Sequence, residues 1–283
     1  SCRAAFVSAL LCFLVLLVFC AQAGLAMPLA ALIFALALAF LIAATRIRAE
    51  TGNAWLYGPG FDPHRIVLTA FQGRLSLRDL TIMAFLRSLS NSDMRCQSMP
   101  HQLDAFKMAD VANLRPRQVS AAIILAIAFA IPVALFMALQ VWYSQGALGR
   151  CEPWRTTMGR VIYEEVIAHF VNPTRAAHAQ LSALGFGFVL TLVLTVVRNT
   201  WVSWPLHPIG FAMAGTGTMN SLWLPFLLAW AIKSATLRIG GMRAYRRAIP
   251  FFLGLIVGDF LCGAVATLIA CFDKAITIYP INW

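Results

Sequence analysis

Residues 202–221 read VSWPLHPIGFAMAGTGTMNS and interrupt a chain otherwise built of long apolar runs. Pro205 and Pro208 each remove a helix donor and crowd the preceding turn, while Gly210, Gly215 and Gly217 loosen the backbone. A continuous helix through them is not expected. The apolar runs near 4–22, 28–45, 119–143, 182–198 and 248–272 are each long enough to cross a hydrocarbon core of about 30 Å. The stretch 201–237 has room for two more passes. Backbone groups in lipid must pair internally, and no ten-residue alternation recurs as a barrel requires. The fold class is therefore all-α: a polytopic transmembrane helical bundle of about seven membrane segments, one of them a broken helix or hairpin.

Composition agrees. Of 283 residues, 60% are hydrophobic and 12% charged, which makes an integral membrane protein in contact with the lipid bilayer. The formal charge of +11 reflects cytoplasmic loops rather than nucleic acid. Lys and Arg concentrate in 46–118 and 233–247, whereas Arg150, Arg155, Arg160, Arg175 and Lys274 fall on the opposite side. This bias puts the N-terminus inside and favours a 201–237 segment that returns to its starting side. Three regions follow: a helical hairpin over 1–45, a basic amphipathic cytoplasmic segment over 46–118, and a helical bundle over 119–283 with an outer loop at 144–181 and the broken segment at 201–221. Arg3 and the AQA before Gly24 have features of a secretory signal, but the length of the run and the span that follows favour a retained helix. The start at Ser1 suggests a fragment or processed form.

Within 46–118, Arg46 and Glu50 have the i, i+4 spacing of an ion pair. The turn-rich TGNAWLYGPGFDPH precedes LSLRDLTIMAFLRSLS, whose Leu75, Leu77, Leu80, Met83, Leu86 and Leu89 alternate with arginines as in a helix lying along the membrane surface. In the outer loop, Glu164, Glu165 and His169 would supply half of a di-metal carboxylate site, but no second Glu-x-x-His follows, so a solvated loop helix is expected. The seven cysteines lack metal or redox spacing. No phosphate loop, nucleotide fingerprint, nucleophile–base pair or haem-type histidine pair stands out, so neither an enzyme, a cofactor nor a metal is expected.

Chemistry is expected at two places. Unwound backbone at membrane depth is tolerated where it lines a cavity, and transporters use such breaks to aim helix ends at substrate. His207, Thr216, Thr218 and Asn220 would line that path, with Ser221 beside them. Asp259 is a carboxylate inside the last apolar run, for which Lys233, Arg198 or His207 are candidate partners. Around it, Gly254, Gly258 and Gly263 offer a small-residue helix-packing face.

The sequence from WPLHPIGFAMAGTG through LPFLLAWAIKSATLRIGG to PFFLGLIVGDFLCGAV resembles the C-terminal region of the oligopeptide transporter superfamily. The likeness lies in Pro208 and Gly210 in a broken helix, in Pro225, in a basic cytoplasmic loop with Gly240 and Gly241, and in Gly258–Asp259 near Gly263, where that family often has Gly-Glu. The resemblance implies a proton- or cation-coupled importer of peptides or metal chelates. With about half the spans of such a transporter, this chain would work with another membrane subunit or its missing half. The alternative is a non-catalytic structural or accessory subunit of a larger membrane complex.

Overall fold

A computed structural model describes residues 2–52, 62–71, 74–87, 97–146, 153–171, 178–201 and 204–272. Stretch 53–61, Leu89 and the end at 273–283, with Lys274, lie outside them. Among the described residues every regular element is a helix: α1 (Cys2–Ala23), α2 (Met27–Thr51), α3 (Pro63–Ala70), α4 (Leu77–Arg87), α5 (Ser98–Val111), α6 (Pro116–Gln145), α7 (Pro153–Val171), α8 (His178–Thr200), α9 (Pro208–Ala214) and α10 (Gly217–Phe272). Five are long and apolar enough to span a bilayer: Phe6–Ala23, Met27–Thr51, Pro116–Ser144, Ala179–Thr200 and Gly217–Ile269. The protein is an integral membrane protein with an all-α fold.

The chain forms two compact units, Ser1–Gly217 and Thr218–Trp283. In the first, α1 and α2 make an antiparallel hairpin through a turn at Gly24, whose φ of 99° suits glycine. Pro28 at the first turn of α2 needs no donor there. Cys20, Leu25, Leu29, Ala30 and Ile33 of this hairpin join Val67 and Leu68 of α3, Leu80, Met83 and Ala84 of α4, and Val166 of α7 in one buried cluster. Between membrane helices such contacts stabilise through close packing, because lipid is as apolar as the side chains.

Helices α3 and α4 do not lie apart from the spans. Asp79, in the first turn of α4, accepts the Ala26 amide at 3.2 Å, which docks the start of α4 on the α1–α2 turn. Arg78 lies against Gly24, where an added Cβ would come 2.6 Å from its Cδ. The following helix, α5, meets the other end of α2 through Arg48 and Asp104, 2.6 Å apart. Ala26 and Arg48 are separated by about 33 Å of helix, so the segment runs along α2 from one end to the other. Helix α4 also packs against α7. Parts of the segments 46–118 and 144–181 are thereby in contact.

In α6 no residue of the apolar window is buried, and Phe129 and Phe136 are 77% and 66% exposed. Such a face belongs against lipid or another chain.

In the second unit α10 is helical through Lys233 and Arg247, a stretch expected as a loop. Only Gly241 departs, with φ 60° and ψ −163°. That conformation is open to glycine and strained for other residues, and it divides α10 into arms 217–240 and 242–272. A cavity of about 250 Å³ between the arms is bounded by Ile232, Lys233, Tyr245 and Phe252, with the Lys233 ammonium 5.4 Å from the Tyr245 ring centre.

Candidate functional site

The broken segment is present in the backbone, in a form that differs from a two-pass hairpin. The chain leaves helix after Thr200 and re-enters helix at Pro208, the first residue of α9. His207 caps that start, its Nδ1 accepting the Ile209 amide at 3.2 Å. Gly210 lies on the exposed side of α9, Gly215 ends it, and Gly217 opens α10. With only seven residues, α9 is far too short to cross a bilayer.

The break brings His207 to the far end of α2. Its Nε2 lies 3.8 Å from a Glu50 carboxylate oxygen, while Glu50 also accepts Arg46 at 2.7 Å. All three side chains are partly open to solvent. Thr216 is buried and donates its hydroxyl to the Met213 carbonyl at 2.7 Å. Thr218 is fully buried, Asn220 exposed and Asp259 half-buried; these three belong to the second unit. The candidate partners of Asp259 have other engagements: Lys233 lies over Tyr245, and Arg198 donates to the Trp204 carbonyl at 3.2 Å. The glycine face is only partly packed. Gly263 is buried, but a Cβ added at Gly254 or Gly258 would meet no described atom within 4 Å.

A second constellation, which the sequence did not single out, joins α3, α4 and α7, none of them among the five spans. Asp62 caps α3, accepting the His64 amide at 3.0 Å, and Pro63 at N1 requires no donor. The other oxygen of Asp62 takes Arg87 at 2.7 Å. Arg87 also pairs with Glu165 of α7, which Arg65 approaches to 3.5 Å from its open side. The Asp62 side chain is 2% exposed and that of Arg87 17%. Burial works against the Arg87 charge, yet Glu165 and Asp62 outweigh it and push the guanidinium above its ordinary value.

His64 sits beside this ion-paired centre, 1% exposed, and among the described residues neither ring nitrogen has a hydrogen-bond partner. Burial and Arg87 push its pKa down to about 4, against the opposing pull of Asp62 and the Leu86 backbone. It is held as neutral imidazole. His169 turns its Nδ1 to the Glu165 carbonyl at 2.8 Å, and Glu164 pairs with Arg160. Among the described residues no group of three or more His, Cys, Asp or Glu side chains could hold a metal ion.

Two local signals could have located this centre. Asp62-Pro63 is an N-cap followed by a proline at N1, and Ser76-x-x-Asp79 is a capping box: Ser76 Oγ accepts the Asp79 amide at 3.1 Å while Asp79 accepts the Ser76 amide at 3.2 Å. These fix where α3 and α4 begin. The pairing of Arg87 with a glutamate 78 residues away carries no local signal.

No curated protein and no solved structure matches the chain. A family of unknown function, DUF6785, matches residues 1–282, and the chain belongs to that family.

Proposed function

We propose that the protein is transporter-like: half of a cation- or proton-coupled importer of peptides or metal chelates, in a bacterial inner membrane with its N-terminus inside. The observation that carries this reading is the meeting of His207 with Glu50 at a break between helices. Helix interruptions in membrane proteins cost backbone pairing and persist where they line a path for solute. Here the start of α9 and the carboxylate at the end of α2 converge on one spot, giving a donor, an acceptor and a charge that changes with protonation. The two arms of α10 count as separate passes on this reading, which makes six membrane segments where about seven were expected. Asp259 serves as a coupling carboxylate in the second unit.

The test is uptake of oligopeptides and of metal chelates into proteoliposomes across an imposed proton gradient. Uptake that collapses in His207→Gln and Asp259→Asn supports the path. Uptake unchanged in both variants, in rate and in pH dependence, sinks it.

The unburied face of α6 and the open Gly254/Gly258 face favour a second reading, a non-catalytic subunit of a larger membrane complex. On that reading the chain purifies with another membrane protein, and cross-links from cysteines at Gly254 or Phe129 reach it.

A further inference from the structure

We infer that Asp62, His64, Arg87 and Glu165 form a proton-binding centre held beside the middle of α2, with His64 as the group that takes the proton. The inference rests on the transporter reading and adds to it the site of coupling.

Placement comes first. Helix α4 starts at the α1–α2 turn, where Asp79 accepts the Ala26 amide. Its last residue, Arg87, returns to Asp62 at the start of α3. Pro63 borders a groove with Ala37, Leu38 and Leu41 of α2 and Phe13 and Leu16 of α1. These α2 residues bracket the middle of the Met27–Thr51 span. Pro63, next to Asp62 and His64, thus faces the middle of α2. Buried charges are expensive and are kept where they face a partner.

Chemistry selects the ligand. Asp62 and Glu165 carry two negative charges, and Arg87 and Arg65 two positive ones, so the centre is balanced while His64 is neutral. An unpaired, buried imidazole is unfavourable unless its vacant nitrogen has a use. The void bounded by His64, Arg87 and Glu165 is about 10 Å³, near the least volume that admits one water. A hydrated cation does not fit; a proton passed along a water does. Protonation forms one N–H bond on the ring, the proton coming from hydronium and leaving water behind. The added charge then competes with Arg87 for Asp62, and relief comes by release of Arg65, whose side chain is 51% exposed. Proton uptake is thereby coupled to movement of α3 against α4 and α7.

The other ionisable groups on the packed elements are engaged elsewhere. On α2, Arg46 and Arg48 pair with Glu50 and Asp104. Arg78 and Asp79 lie at the opposite end of α4, beside the α1–α2 turn. On α7, Arg160 pairs with Glu164 and His169 turns to the Glu165 carbonyl. Arg198 of α8 binds the Trp204 carbonyl.

The experiment uses the full chain in lipid nanodiscs with ¹⁵N-labelled histidines, the His64 signal being the one missing in His64→Gln. Its ring is expected to titrate well below the ordinary imidazole value of 6.5, and to move up by roughly one unit or more in Arg87→Gln, where Asp62 is unopposed. A His64 ring that titrates near 6.5 in the wild type overturns the centre, and this reading stands even if Arg87→Gln fails to fold. In proteoliposomes, His64→Gln is expected to abolish the pH dependence of uptake; an unchanged profile also overturns the centre. A His64 ring that responds to Arg87 in a chain that moves no solute upholds the proton-binding centre and sinks the transport reading instead.

Discussion

The protein holds two polar constellations of opposite character. At the helix break, His207 and Glu50 face each other at 3.8 Å with more than a third of each side chain exposed. In the α3–α4–α7 centre, Asp62 and Arg87 meet at 2.7 Å and Asp62 is almost wholly enclosed. The same classes of side chain therefore do different things. Exposed charges separate at little expense and suit a gate, whereas an enclosed pair fixes the elements that carry it and resists losing either member.

The largest expected effect breaks the enclosed pair. Arg87→Ala strands Asp62 without its cation, and removing one member of a buried pair costs about 3–5 kcal/mol. Thermal unfolding in detergent, compared with wild type, measures it; a loss below 1 kcal/mol, on the order of a surface pair, would erase the contrast.

Next comes pH. The unfolded chain protonates His64 near the ordinary value of 6.5 and the folded chain at about 4. The unfolded state therefore binds the proton first as pH falls. Stability is full above about 6.5 and declines down to about 4, by about 3 kcal/mol in all. Denaturation midpoints of the wild type should fall across that window, and those of His64→Leu should fall much less.

A smaller effect belongs to the attachment of α4. Asp79→Ala removes half of a capping box and the acceptor for the Ala26 amide. A loss of about 1 kcal/mol is expected, with faster hydrogen exchange at Ala26 and Ser76 as the local readout.

The smallest effect on stability belongs to the exposed pair. His207→Gln should change it by less than about 1 kcal/mol while altering uptake. A large destabilisation there would mean that His207 is structural, and the two constellations would no longer differ in kind.

The sequence made the break easier to find than the centre. Pro205, Pro208 and three glycines within 202–221 announce an interruption in one short window. The length of α9 was not legible, because the same residues permit either a hairpin or about two turns of helix before α10. The 233–247 stretch read as a loop from its charges, yet helix tolerates Lys and Arg well, and one glycine at Gly241 is enough to turn the chain. The centre was hidden for another reason. Asp62, Arg87 and Glu165 each sat in a segment with a simpler explanation: a turn, a basic surface helix and a solvated loop. Counting basic residues assigns such segments to faces of the bilayer, but it assumes that charged segments stay outside it.

The docking of Asp79 on the Ala26 amide also bears on assembly. The two residues are 53 positions apart in the chain. At synthesis rates of about 5–20 residues per second, the α1–α2 hairpin leaves the ribosome roughly 3–10 s before α4 follows. During that interval it stands in the membrane with an unoccupied flank, ready-made as a template. A side chain at position 24 would act twice: at once on the hairpin, whose turn at φ 99° it strains, and seconds later on α4, whose Arg78 it would meet at 2.6 Å. The later fault is visible as protease sensitivity of α4 in a chain whose first two helices are already inserted.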